Sequence, residues 1–238
     1  MFTFIRSLFS FAAVIALTFV FSLQALLYLL VFRTSEKTAQ VAPNNWARSI
    51  LWASGVKVKV EGLDKLDPDK NYIFMANHQS QYDIFCAQAH LDWHLRWLAK
   101  KELFDIPIFG AALGKGGSIP VDRSNGRKAL ASLIEAAKRI KKGCSVIIFP
   151  EGTRSDDGAL HSFKTGGMVI AIKAQVEVVP MAICGSRDIL AKGDLLPKTG
   201  TITMKIGDPL NVEGYTLKQK GELAKLLHTK VEEMLISA

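Results

Sequence analysis

Two hydrophobic patterns divide the chain near residue 54. Between Arg6 and Arg33 lie 26 residues without a charge, including Phe9, Val14, Leu17, Phe19, Leu26 and Leu30. As a helix this run is about 39 Å long at ~1.5 Å per residue, against a hydrocarbon core of about 30 Å, so it can cross a bilayer with tilt. A cleaved secretory signal fits less well, because its apolar region spans roughly 7–15 residues. Pro43-Asn44-Asn45 then marks a helix start, and Trp46 and Trp52 beside Arg48 suit an amphipathic segment at a membrane interface. The alternative is a hairpin of both helices embedded in one leaflet. Residues 1–54 are therefore assigned to membrane-anchoring helices and 55–238 to a globular domain. Arg33 and Lys37 beyond the run favour a cytoplasmic position for that domain at a cell inner membrane; Arg6 weighs against it.

From Val56 onward the period changes. Val56-Lys57-Val58-Lys59-Val60 alternates as a half-exposed strand, and Thr201 to Ile206 does the same late in the chain. Tyr72–Met75, Leu95–Ala99, Ser145–Phe149 and Val178–Ile183 are short, nearly continuous apolar runs, as expected of strands covered on both faces. Gly117–Val121 reads as an edge strand, since Pro120 has no N–H to give a ladder. Helical patterns fall between these runs. After Asn125-Gly126, Leu130, Leu133, Ile134, Ala137 and Ile140 share a face; near the end, Leu223, Leu226, Leu227, Val231, Met234 and Leu235 are placed inward. The alternation predicts an α/β fold: a mixed, mainly parallel sheet flanked by helices, with an N-terminal membrane-associated helical segment.

In such sheets, sites form beyond the carboxyl ends of strands. Four polar clusters follow predicted strands: His78 to Asp83, Lys100-Lys101, Asp122-Arg123 and Glu151 to Arg154. His78 and Asp83 can meet across a short loop, the carboxylate holding one ring nitrogen and leaving the other to take a proton. Taken alone, the same seven residues equally describe a helix capped by an aspartate. Glu151-Gly152-Thr153-Arg154 offers a carboxylate, a permissive backbone, a hydroxyl and a guanidinium able to bind phosphate with paired hydrogen bonds. The competing reading is a turn with a surface ion pair. Ser80, Ser118 and Thr153 lack a Gly-x-Ser-x-Gly elbow, which disfavours a covalent serine mechanism. The histidines lack metal-ligand spacing, and no metal is expected.

A net charge of +8 and a pI of about 9.4 suit anionic lipid, phosphorylated substrates or nucleic acid. With no zinc-finger spacing or single-strand stacking motif, nucleic acid is the weakest of the three. Cys86, Cys144 and Cys184 are far apart in apolar surroundings and read as core filling.

Asn77-His78 with Asp83 resembles the His-x4-Asp motif of the glycerolipid acyltransferases. Phe149-Pro150-Glu151-Gly152-Thr153-Arg154-Ser155 resembles that family's Phe-Pro-Glu-Gly-Thr-Arg-Ser block. Gly117 to Arg123 resembles its Gly-x-x-Phe-Ile-Asp-Arg block, departing at Pro120 and Val121, and Val179 to Ile183 resembles a fourth block around a proline. Phe163-Lys164-x-Gly166 also fits, and the motifs run in family order over roughly residues 55–210. The resemblance implies acyl transfer from acyl-CoA or acyl carrier protein, as co-substrate without a bound cofactor, to the sn-2 hydroxyl of lysophosphatidic acid in a phospholipid bilayer. It further implies His78 as base, Asp83 as its orienting group, and Lys100, Arg123, Glu151, Gly152, Thr153 and Arg154 as substrate-binding residues. A different acceptor (glycerol 3-phosphate, another lysophospholipid or an ornithine-lipid precursor) and a non-catalytic anionic-lipid-binding protein are the competing expectations.

Overall fold

The computed structural model describes residues 2–35, 38, 40–122 and 126–236. The uncharged run forms helix α1 (Phe2–Leu26), continued by a wider π turn over Leu27–Val31. Three of its hydroxyls are satisfied within the helix: Ser10, Thr18 and Ser22 each donate to the carbonyl four residues earlier. Helix α2 (Val41–Ala53) follows, with Pro43 in its first turn, where a missing N–H leaves no ladder bond unmade.

Among the described residues, seven strands form one sheet: β1 (Val56–Glu61), β2 (Ile73–Ala76), β3 (Leu95–Lys100), β4 (Ile119–Val121), β5 (Ser145–Ile148), β6 (Val178–Cys184) and β7 (Gly200–Ile206). Their order is β1-β7-β6-β2-β5-β3-β4. All neighbours are parallel except β6 and β7, so the sheet is mixed and mainly parallel as expected. Strands β2 and β5 are wholly buried, while β1 alternates at the sheet's edge. Strand β4 lies at the other edge, which is where Pro120 can be accommodated. Pro180 sits inside β6, one residue before the antiparallel pairing with β7 begins at Met181↔Ile206, so β7 asks for no N–H there.

The pleat sorts side chains into two cores. Phe74, Ile147, Val179 and Met181 point to one face, joined by Ile50 and Leu51 of α2 and by Phe85 of α3 (Tyr82–His90). Ile73, Met75, Val146 and Val178 point to the other, covered by α5 (Gly126–Lys141), α6 (Gly166–Ala174) and α8 (Lys220–Ile236). The remaining helices, α4 (Phe109–Lys115) and α7 (Ser186–Ile189), are short. One predicted inward position is corrected, Leu226 on α8 at 39% exposed, and Leu130 on the shared face of α5 is 47% exposed. Each lies on the apolar stripe of its helix but beyond the layer that covers it. The amino-terminal helices are not a detached appendage. Val14 and Leu17 of α1 and Trp46 of α2 pack against the first core, Ser7 donates to the Pro197 carbonyl at 2.7 Å, and Arg48 pairs with Asp92 at 3.3 Å. Cys86 and Cys144 are buried, as core filling requires.

Candidate active site

Strands β2, β5, β3 and β4 are consecutive and parallel in the sheet, so their carboxyl ends open on one edge. That order brings the strand-end clusters together from distant parts of the sequence. Arg123 lies outside the described residues; Asp122 sits at the end of β4, 3.5 Å from the Lys101 ammonium.

The loop after β2 is wound around a single carboxylate. Asp83 Oδ2 accepts from the backbone N–H of Gln79 at 2.7 Å and of Ser80 at 2.8 Å, and lies 2.8 Å from His78 Nδ1. Asp83 is fully buried in the first turn of α3, where the helix dipole favours negative charge. It therefore does not cap the helix; its bonds run backward to the loop. Ser80, also fully buried, donates its hydroxyl to the Leu190 carbonyl and accepts the Tyr82 N–H, which leaves it no freedom as a nucleophile. With Nδ1 held by a carboxylate, the His78 ring is fixed in orientation. Its face stacks on Phe149 at a centroid distance of 3.9 Å and an interplanar angle of 9°. Nε2 has no hydrogen-bond partner among the described residues.

The Glu151 carboxylate is 4% exposed and turned away from the opening. Oε1 accepts the His78 N–H at 2.7 Å and Oε2 the His161 N–H at 3.0 Å. Burial pushes its carboxyl above the ordinary value, against the opposing pull of those two donors. Gly152 adopts φ +79°, the left-handed conformation a glycine tolerates. Further on, Ser155 donates its hydroxyl to Asp157 Oδ1 at 2.9 Å, and the same carboxylate oxygen lies 3.0 Å from His161 Nε2. Ser155 N–H donates to the His78 carbonyl at 2.8 Å, so the two polar loops are sewn together by backbone bonds.

A cavity of about 930 Å³ opens beside His78. Lys100, Gly152, Thr153 and Arg154 line its polar end together with Lys164, which the reading of strand ends did not single out. The only sequence signal for Lys164 was the Phe163-Lys164-x-Gly166 segment. Asp83 and Glu151 stand behind this lining. The rest of the wall is largely apolar, built by Leu98, Phe109, Leu113 and Leu133 with Val14 and Phe21 of α1. The amino-terminal helix is thus part of the cavity wall, which periodicity alone cannot reveal.

Comparison with known proteins decides the family. The Acyltransferase family model matches residues 57–184, more than half of the chain. The chain belongs to the acyltransferase family. It is 32% identical over 180 residues to a 1-acyl-sn-glycerol-3-phosphate acyltransferase of Limnanthes douglasii, covering 75% of this chain and 63% of that protein. It is 32% identical over 196 residues to a protein of the same name in Pseudomonas aeruginosa, covering 80% of this chain and 75% of that one. The crystal structure of the 1-acyl-sn-glycerophosphate (LPA) acyltransferase PlsC from Thermotoga maritima superposes with a TM-score of 0.72 at 28% identity, covering 92% of this chain and 95% of that one. The chain spans less than two thirds of the Limnanthes relative's length, while matching the Thermotoga structure nearly end to end.

Proposed function

We propose that the protein transfers a fatty acyl group from acyl-CoA or acyl carrier protein to the sn-2 hydroxyl of 1-acyl-glycerol 3-phosphate, giving phosphatidic acid. One observation carries this reading: His78, whose Nε2 has no hydrogen-bond partner among the described residues, lines a cavity whose wall holds both cations and apolar side chains. A phosphorylated acceptor and a fatty thioester need those two surfaces to converge on a base. The names of the relatives support the same acceptor.

In this mechanism Arg154, with Lys100 and Thr153, holds the acceptor phosphate and the apolar wall holds the acyl chain. Fixing both partners makes the attack effectively intramolecular. His78 Nε2 takes the hydroxyl proton as the acceptor oxygen bonds to the thioester carbonyl carbon. Collapse breaks the C–S bond, and the proton passes from His78 to the departing thiolate. Asp83 holds the ring and stabilises the imidazolium between the two transfers. Glu151 contacts no substrate in this reading; by anchoring the His78 backbone it positions the base.

The amino-terminal helix supports a one-leaflet membrane association. Phe4, Phe9, Ile15, Phe19 and Leu30 are each at least half exposed. The opposite face docks on the domain from Ser7 at the Pro197 carbonyl to Leu29 on the cavity wall. A helix held along its length this way cannot cross a bilayer without drawing that domain surface into the hydrocarbon. Lying in the interface, it gives acyl chains a short path to the cavity.

The reading is tested by presenting lysophosphatidic acid, glycerol 3-phosphate, other lysophospholipids and monoacylglycerol to the protein with labelled acyl-CoA, then with acyl-loaded carrier protein. Preference for lysophosphatidic acid is expected; equal turnover of the phosphate-free acceptor removes the basis for the phosphate rim.

A further inference from the structure

The Phe163-Lys164-x-Gly166 segment brings a cation to the site from the far end of the loop that begins at Glu151. The Lys164 N–H donates to the Pro150 carbonyl at 2.8 Å, which pins residue 164 beside the turn at Gly152. From there the side chain runs directly over Gly152. A Cβ built on Gly152 would stand 2.9 Å from Lys164 Nζ, 3.2 Å from Cδ and 3.3 Å from Cε. The open face of this glycine is therefore filled by the lysine arm. Substitution by any L-residue would also meet the unfavourable φ of +79°.

Lys164 and Arg154 line the same cavity as His78. Neither head group makes a hydrogen bond or ion pair to a described residue. The carboxylate nearest in sequence, Glu151, forms no ion pair with either; its two oxygens accept the backbone N–H groups of His78 and His161. Lys100, by contrast, has Glu102 at 3.7 Å. Two cations lining one cavity, neither paired with a carboxylate among the described residues, form an incomplete arrangement that a phosphate oxyanion completes.

We infer that Lys164, laid across Gly152, is a phosphate-binding residue that works with Arg154 on the acceptor's phosphate, and that residue 152 must be glycine to leave room for that lysine. This inference rests on the acyl-transfer reading above and adds to it a residue and a reason for the glycine. Both substrates carry phosphate: the lysophospholipid acceptor, and the coenzyme or phosphopantetheine arm of the donor. The inference commits to the acceptor. An ammonium donates from a single point where a guanidinium donates in a fork, so Lys164 supplies charge and Arg154 supplies orientation.

The experiment measures steady-state kinetics of the full chain and of K164A, K164Q and K164R in detergent micelles, varying lysophosphatidic acid at saturating acyl-CoA and the reverse. A rise of about tenfold in acceptor KM is expected for K164A and K164Q, on the scale of one charge-assisted hydrogen bond at a partly exposed site. K164R should recover most of the loss, while kcat and donor KM stay within about threefold. A donor-only KM rise overturns the assignment to the acceptor, and unchanged KM for both substrates overturns the site. Unmodified chain that fails to acylate lysophosphatidic acid at all defeats the parent reading instead, so the two failures separate. G152A with K164A supplies the second arm. If alanine at 152 acts by displacing the lysine, its acceptor-KM effect largely disappears in the K164A background; full additivity overturns the link between the two residues. Melting temperatures of all variants, expected near the native value for the exposed Lys164, separate binding from folding.

Discussion

The backbone N–H of His78 donates to the carboxylate of Glu151 at 2.7 Å, and the other oxygen of that carboxylate takes the N–H of His161 at 3.0 Å. Residues 73 positions apart are thereby locked, and the acid of the Glu-Gly-Thr-Arg block holds the proposed base of the His-x4-Asp block through its main chain. Glu151→Gln keeps the shape but turns an amide NH2 toward one of the two N–H donors. A buried donor left without an acceptor costs about 1–3 kcal/mol. Thermal unfolding should therefore shift down by several degrees, on a scale of roughly 2–4 °C per kcal/mol for a chain of this size. Loss of kcat should accompany it with little change in acceptor KM. A raised KM at native kcat would return Glu151 to the role of a substrate contact.

Asp83→Asn tests the orientation of the base. Oδ2 of Asp83 gathers two backbone N–H groups and His78 Nδ1, an arrangement only an acceptor satisfies. An amide satisfies part of it and leaves the imidazolium uncompensated. The expected result is a fall in kcat of about 10²–10⁴-fold, the usual range for general acid–base catalysis. Circular dichroism should report an intact fold, and His78→Ala should be no more active.

Phe149 stacks on the His78 ring at 3.9 Å, with Trp97 tilted against Phe149 at 6.2 Å. Aromatic contacts of this kind are worth about 0.5–1.5 kcal/mol. Phe149→Leu should fill most of the space yet free the ring, lowering kcat up to about tenfold with KM values unchanged. Native kcat in that variant would show that Asp83 alone fixes the ring.

His161 and Asp157 form the pH-sensitive part of the loop. The hydrogen bond to Asp157 raises the His161 pKa above its ordinary value of 6.5, with Glu151 and Asp156 adding to the effect and partial burial opposing it. The bond to His161, with those from Ala159 N–H and Ser155, holds Asp157 below the usual carboxylate range. A raised imidazolium pKa stabilises the fold fully below 6.5 and is lost as pH rises through the folded value. A depressed carboxyl pKa acts in the opposite sense, its contribution being lost as pH falls through the folded value. The two side chains are 49% and 65% exposed, so solvent screens the effect and it should be local. Hydrogen exchange of residues 155–164, corrected for intrinsic rates, should accelerate as pH rises above 6.5 in the native chain and show no such step in His161→Gln. Identical pH profiles would refute the pairing.

Much of this site was legible in the sequence because it lies where apolar runs stop. Strands β2, β5 and β6 announced themselves as continuous apolar runs, and β1 and β7 by alternation. The order in which strands lie is set by contacts between distant segments. That β2, β5, β3 and β4 are neighbours, and that their polar ends converge, emerges only from the fold. The same holds for Lys164, whose reach depends on how the loop from Glu151 returns to Pro150. Periodicity identified the stripes of α5 and α8 but not where their cover ends, which is why Leu130 and Leu226 face outward. Hydropathy marked α1 as long and apolar enough to cross a membrane; its place in the wall of the cavity follows from hydroxyl and indole contacts such as Trp46 Nε1 to Thr18 Oγ1 at 3.0 Å.

The two faces of α1 allow a separation of membrane binding from folding. Phe19 is 53% exposed, whereas Leu17 packs against the core shared with α2 and α3. An aspartate in the hydrocarbon costs about 2.5–3.5 kcal/mol at its centre and less near the interface. Phe19→Asp should therefore weaken partitioning into phospholipid vesicles by about tenfold or more, leaving the melting temperature in detergent unchanged. Leu17→Asp should do the reverse first: it places a charge against packed apolar side chains, lowers the melting temperature and, by disturbing the wall that Val14 and Phe21 help to form, reduces turnover. A helix that crossed the bilayer apart from the domain would respond alike to both substitutions in partitioning and to neither in melting. Vesicle flotation and thermal unfolding of the two variants side by side therefore distinguish a docked interfacial helix from a free span.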